Sequence, residues 1–266
     1  MKRQSILAVV LLLSSLVLRV QAQSIWDDER YAKVSEARVK TLNEFIHRFN
    51  GEEVPDIVRQ TDTMAMRQMC VAALFDRDWV ERQENRRTAL DFIEKVVKDT
   101  ILLGVHDTSI YSEAHCMFKY GKEEIPISVV LKWERAGKAY YRWAIVGVNG
   151  LMSAGVIDTS FYGTLSPIQN ELGFMRLDMA FPEMYGFISA KGRVDELSYL
   201  MALSSSGKVK FVECSGITYH CSIVPGYLFK VEQKNRNTTN SGWLITEVYE
   251  AEEVLKAQYI GLLLGR

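Results

Sequence analysis

Between residues 35 and 49 the apolar positions Val39, Leu42, Phe45, Ile46 and Phe49 return every three or four residues, with Glu36, Arg38, Lys40, Glu44 and Arg48 between them. That spacing lines the apolar side chains along one face and predicts an amphipathic helix. Asn50-Gly51, a pair suited to left-handed backbone, predicts its end. Further helices are expected over 64–74 and over 88–97, where Leu90, Ile93, Val96 and Val97 share a side. The period then shortens to two across 101–105, 110–120, 125–135 and 140–148, which read as strands. Gly121-Lys122 and Ala136-Gly137-Lys138 supply turns, so consecutive strands are expected to pair antiparallel. In the third run Val129, Leu131 and Trp133 fall on one face and Lys132 and Glu134 on the other, which predicts one buried and one wet face.

The densest group of turn formers lies between 149 and 168: Asn149-Gly150, Ser153, Gly155, Ser160, Gly163, Ser166 and Pro167. After it the order starts again. Helical patterns cover 170–179 and 194–203, Ser204-Ser205-Ser206-Gly207 breaks them, and strands follow at 208–214, 217–223, 227–234 and 243–248. Leu131-Lys132-Trp133-Glu134 followed by Trp143-Ala144-Ile145 recurs as Phe229-Lys230-Val231-Glu232 followed by Trp243-Leu244-Ile245. The first phrase and Cys116 align with their counterparts, Cys214 among them, at an offset of 98, the tryptophans at 100, so the second hairpin loop is expected to be two residues longer. The expected fold class is α+β, as two tandem modules at 23–150 and 166–266 joined by a linker at 151–165, each with N-terminal helices packed on an antiparallel sheet. Pro126 and Pro225-Gly226 are expected to break long strands, and the apolar 254–264 to form a helix docking on the second module.

The start of the chain adds a compartment. Lys2-Arg3, the apolar run 6–18 and Val20-Gln21-Ala22 have the build of a secretory signal peptide over 1–22, cleaved after Ala22. The run of 13 residues is shorter than the roughly 20 a membrane-spanning helix needs, so no integral membrane segment is expected in the mature chain. Its removal takes away Lys2, Arg3 and Arg19 and no acid, moving the formal charge from -1 to -4. No basic footprint for nucleic acid remains. A secreted or periplasmic location permits disulfides among Cys70, Cys116, Cys214 and Cys221, but their spacing does not choose a pairing, and with no C-x-x-C pair no metal site is expected. Asn237-Thr238-Thr239 is a glycosylation sequon in the expected second hairpin loop.

Phe45-Ile46-His47-Arg48-Phe49-Asn50-Gly51 closes a first helix, more helices follow, and a meander ends in Tyr141-Arg142-Trp143-Ala144-Ile145-Val146-Gly147-Val148; this order resembles the NTF2-like superfamily. Gly242-Trp243-Leu244-Ile245-Thr246-Glu247-Val248 is similar to that last strand again. The resemblance covers roughly 30–150 and 165–250. It implies helices on a curved sheet that encloses a pocket open at one end, in a superfamily that includes isomerases, hydrolases, dimerisation modules and ligand carriers, so it does not select an activity.

Candidate chemistry is sparse. His115-Cys116 and His220-Cys221 are strand neighbours whose side chains point to opposite faces, which removes them as catalytic dyads. His106-Asp107, at a turn, and His115 are the candidates for an acid or base at a pocket rim. Asp76-Arg77-Asp78 with Trp79 reads as helix-end electrostatics and an ion pair, with a sugar or cation site as the alternative. Tyr111, Tyr120, Trp133, Trp143, Tyr219, Tyr227 and Trp243 are the candidates for lining a ligand pocket, although aromatic residues also favour strands and cores. The reading is a secreted or periplasmic binding protein with no cofactor, taking a small molecule, a glycan or an envelope protein. A small-molecule enzyme and a structural envelope protein are the alternatives.

Overall fold

The computed structural model describes residues 25–26, 29–52, 62–104, 106–137, 140–156, 195–237 and 239–265. The fold is α+β. Helices α1 (Glu29–Glu36), α2 (Leu42–Asn50), α3 (Thr63–Ala73), α4 (Arg77–Val80) and α5 (Gln83–Lys98) precede strands β1 (Ile110–Tyr120), β2 (Glu123–Ala136) and β3 (Tyr140–Asn149). Then come α6 (Glu196–Ser205), β4 (Val209–Cys221), β5 (Tyr227–Lys234), β6 (Gly242–Glu250) and α7 (Glu253–Leu263). The six strands form one antiparallel sheet in the order β3-β2-β1-β4-β5-β6. The signal-peptide reading over 1–22, the 170–179 helix and most of the 151–165 linker lie outside the described residues.

The helix expected over 35–49 is two helices. Thr41 stops the chain from running on: its hydroxyl accepts from Glu44 N at 3.1 Å, and the Glu44 carboxylate reaches back to Lys40 N at 2.7 Å, a local exchange that starts α2 afresh. Gly51, at φ 75°, ends it as Asn50-Gly51 predicted, with Gly51 N donating to Arg48 O and Glu52 N to His47 O. The 101–105 run is no strand over its described residues 101–104. Asn50 takes both backbone groups of Leu103, at 2.8 and 2.9 Å, and Arg67 donates to Ile101 O, so side chains occupy the partners that a neighbouring strand would supply. The runs at 208–214 and 217–223 join as the single strand β4, and Pro126 stays within β2, whereas Pro225-Gly226 forms the turn before β5. Lys256, buried in α7, closes that turn by donating to Ser222 O and Val224 O at 3.0 and 2.8 Å.

The compact units cut across the chain order of modules at 23–150 and 166–266: one lies within Met1–Tyr111 with Thr218–Lys256, the other within Ser112–Ile217 with Ala257–Arg266. In the first, the N-terminal helices stack on the second hairpin. Phe229 of β5 meets Phe49 of α2 and Phe92 of α5 at ring-centroid distances of 6.0 and 5.2 Å, and Phe75 meets Phe92 edge-on at 5.9 Å. Each such ring, removed from water, stabilises the unit by roughly 1.5–3 kcal/mol. The outer edge of β6 is met between Gly242 and Ile245 by short parallel bridges from Val39 and Phe75, so the backbone groups there are satisfied by the helical layer's own connections. At Gly242, φ 107°, a Cβ would lie 2.0 Å from Val39 O, so only glycine admits this bridge.

In the second unit α6 lies on β3, and its Leu200 and Leu203 join Phe118, Ile125, Ile127, Val129, Val148 and Leu151 in an apolar core. The two hairpins share a register. Leu131 pairs with Ile145 and Val130 with Gly147, leaving Val146 as the extra residue of a bulge; Val231 pairs with Ile245 and Lys230 with Glu247, leaving Thr246. Every one of these positions recurs 100 residues on. The offset of 98 read from Lys132 and Lys230 is therefore corrected to 100 for both strands, and the longer second loop arises because its ladder stops at Lys234 and Gly242, not from inserted residues. The bulge also overrides the expected alternation in β2, where Val129 and Val130 are both buried and Leu131 to Trp133 are all half-buried. No helix among the described residues is long and apolar enough to cross a membrane.

Candidate functional site

The second unit holds a cleft of about 380 Å³ at the point where β3 ends. Gly150 makes it possible. Its φ of 123° turns the chain across β2, and a Cβ there would sit 2.7 Å from Pro126 O. Beyond the turn Leu151 is fully buried and its N–H donates to the Glu196 carboxylate of α6 at 2.8 Å, while Asn149 donates to Leu263 O of α7 at 2.6 Å. Two helices thus fix the end of β3 against the sheet.

β1 contributes His115 and Cys116 to the walls, β2 contributes Ser128, β4 contributes Glu213 and Ser215, and the turn after β3 contributes Ser153. Ser215 Oγ donates to His115 O at 3.1 Å and Ser153 Oγ to Gly150 O at 3.1 Å, which sets both hydroxyls in place and leaves their oxygens as acceptors. His115 is half-buried and Glu213 exposed. Burial, and after it the neighbouring Cys214, push the Cys116 thiol up to about 11. At neutral pH it is a neutral thiol and a poor nucleophile. An imidazole, a carboxylate and hydroxyls around a partly apolar floor suit hydrogen bonding to a polar or cationic molecule.

The other acid–base candidates sit elsewhere. His106 is exposed and Asp107 half-buried in the first unit, where the Asp107 carboxylate accepts from Ser109 N at 2.8 Å; that contact makes Asp107 a turn former. Asp76 caps α4 by accepting from Asp78 N at 3.2 Å and pairs with Arg236 at 2.7 Å, and Asp78 pairs with the same guanidinium, so this group ties the β5–β6 loop to the helices. Asn240 completes the tie from a left-handed backbone, donating to Phe75 O at 2.8 Å and accepting from Arg77 N at 2.9 Å. Asn237 of the sequon is exposed in the same loop.

The aromatic candidates are dispersed. Trp133 meets Trp143 at 4.8 Å across β2 and β3, Tyr219 meets Trp243 at 5.0 Å, and Tyr227 meets Phe92 edge-on at 5.5 Å. Tyr111 is half-buried, and Tyr120 borders a second depression, of about 750 Å³ and as open as the cleft, with Lys119, Lys208 and Lys210. None of the seven lines the cleft. Of all the sequence candidates only His115 does. Ser128, Ser153, Glu213 and Ser215 were not legible as a site because they come from separated segments with no fixed spacing; the one signal was Asn149-Gly150, read as a turn. Among the described residues no group of three or more His, Cys, Asp or Glu side chains is arranged to hold a metal ion.

The chain matches no protein-family model, no curated protein and no solved structure.

Proposed function

We propose that this is a secreted or periplasmic binding protein whose ligand site is the cleft beside His115, and that it arose as a tandem pair of α+β modules of the NTF2-like kind. The observation that carries the binding reading is the cleft itself. Its volume of about 380 Å³ falls in the range of roughly 300–1,000 Å³ usual for small-molecule sites, and it has convergent polar groups without an activated nucleophile. The carboxylate of Glu213, with no Lys or Arg in the lining among the described residues, favours an uncharged or cationic polar molecule over an anion. The duplication is supported by the shared register and bulge at an offset of 100.

Native mass spectrometry of the protein purified from its own host, before and after denaturation, tests the binding reading. The expected result is a non-covalent adduct of a few hundred daltons that is weakened in Glu213→Ala, an exposed position whose loss leaves the fold intact. A clean monomer mass in every preparation, or an adduct indifferent to Glu213→Ala and Ser153→Ala, would overturn it. An acid–base enzyme is the second reading, and it rests on His115 alone, the one candidate that lines the cleft.

A further inference from the structure

Four cysteines divide into two kinds. Cys70 and Cys221 are shut inside the first unit, and burial raises both thiols, Cys70 to about 11, with Asp107 adding to the rise at Cys221. Cys116 and Cys214 belong to the second unit, on strands that are neighbours in the sheet. The Cys214 thiol lies close enough to Cys116 to add to the rise of its thiol, while each Sγ donates within its own strand, Cys116 to Ala114 O at 3.5 Å and Cys214 to Gly216 O at 3.4 Å. The strand positions agree with that proximity, since Ser215, next to Cys214, donates to the carbonyl of His115, next to Cys116, at 3.1 Å. A Cβ on Gly216 would lie 3.9 Å from the His115 ring, so the 214–216 stretch of β4 runs beside His115 and Cys116.

Facing residues of antiparallel strands have Cα atoms about 4.5 or 5.5 Å apart. Disulfides need about 4.4–6.8 Å, a span that neighbouring strands can supply. Access is asymmetric: Cys214 is exposed, and Cys116 is 8% exposed beneath it. We propose that Cys116 and Cys214 form a redox couple that closes into a disulfide between β1 and β4.

The chemistry balances with a low-molecular-weight disulfide as oxidant. The Cys214 thiolate attacks one sulfur of that disulfide and breaks its S–S bond, and the released thiolate takes a proton from water. The mixed disulfide on Cys214 is then attacked by Cys116, which gives up its own proton to water as the second small thiol leaves. Two protein thiols are oxidised and one small disulfide is reduced to two thiols. The order follows from exposure, because only Cys214 meets a bulky oxidant directly. Cys116, shielded and held in its protonated form, acts as the slower resolving thiol.

The proposal does not depend on the ligand reading. Its test is thiol counting on the full chain after equilibration with oxidised glutathione, acid quench and alkylation under denaturing conditions. The expected product has two alkylated thiols, Cys70 and Cys221, a mass about 2 Da below the reduced chain before alkylation, and one tryptic cross-link joining the Cys116 and Cys214 peptides. Cys116→Ser and Cys214→Ser should each leave all three remaining thiols open to alkylation after a reducing step. Before that step Cys116→Ser should trap a stable glutathione adduct on Cys214, since its partner is gone. Four free thiols in the wild type, a glutathione adduct at Cys214 that never closes, or a cross-link to Cys70 or Cys221 would each overturn the assignment. The exposed position of Cys214 keeps Cys214→Ser folded, so the comparison does not hinge on the buried site.

Discussion

The β2–β3 and β5–β6 hairpins are built to one plan and placed in different surroundings. Both carry a bulge beside the same tryptophan, with Leu131 facing Ile145 in one and Val231 facing Ile245 in the other. Yet Ile145 is 52% exposed and Ile245 is fully buried. Tyr140 and Tyr141 stand in solvent at the turn of the first hairpin, whereas Asn240 and Ser241 are buried at that of the second. The difference lies in what stacks on each. Phe75 bridges to Ile245, and the rings of Phe49 and Phe92 close over Phe229, whose counterpart in the first hairpin is Val129. Alternation within a strand sets pairing, and burial is set by the layer that arrives from elsewhere in the chain.

The largest expected effect separates the two isoleucines. Ile245→Ala removes a side chain from a packed layer and should destabilise by about 2–5 kcal/mol. Ile145→Ala, at the equivalent but exposed position, should change stability by no more than about 0.5 kcal/mol. Urea unfolding of both variants measures the contrast. Equal losses would mean that the outer face of the first hairpin is covered in solution, and sedimentation of the wild type would then show a self-associated species.

The same contrast explains how far the sequence could be read. Hairpins and most helices were legible because their periods of 2 and 3.6 are local properties, and 110–120 and 227–234 match β1 and β5 in full. The choice of partner layer was not legible. Both hairpins offer amphipathic strands, and nothing in the Leu131 or Val231 neighbourhoods says that helices near residues 42–98 will stack on the later one. Lys132 and Lys230 match at an offset of 98 only because lysine recurs on wet strand faces, whereas Trp143 and Trp243, whose large rings need a specific neighbour, carry the offset of 100 that the register has. The apolar run at 101–104 carried a strand's composition, and its fate was decided by the Asn50 side chain, far away in sequence. The cleft was illegible for a similar reason: serines and a glutamate on separate strands carry no pattern until the sheet assembles them.

The bulges sharpen the comparison at the level of one atom. The extra residue is Val146 in the first hairpin and Thr246 in the second, where the Thr246 hydroxyl is buried and has no hydrogen-bond partner among the described residues. A buried hydroxyl without a partner costs about 1–3 kcal/mol of desolvation. Thr246→Val, which keeps the shape, removes that hydroxyl and restores the residue found at the first bulge, should therefore raise stability by about 1 kcal/mol. Thermal unfolding shifted upward in the variant is the expected outcome. A lower midpoint would show that the hydroxyl is satisfied by an ordered water and that the second bulge needs it.

The smallest effect concerns charge beside the same bulges. Lys230 faces Glu247 and pairs with it at 2.8 Å, where the first hairpin has Val130 facing Gly147. Burial alone would raise the Glu247 carboxyl. Hydrogen bonds from Lys230 and from the Tyr249 hydroxyl, with the Lys230 charge, outweigh it and hold the group below its ordinary 4.5. Because the folded value lies below the unfolded one, the pair's stabilisation is complete above about pH 4.5 and fades as pH falls through the folded value. The Glu247 side chain is 39% exposed, so solvent screening limits the contribution to roughly 0.5 kcal/mol or less. Between pH 7 and pH 3 the wild type should lose that much more stability than Glu247→Gln, and added salt should shrink the gap. Parallel curves for the two proteins would mean that Lys230 and Glu247 are solvated apart, leaving the two bulges alike in charge as they are in register.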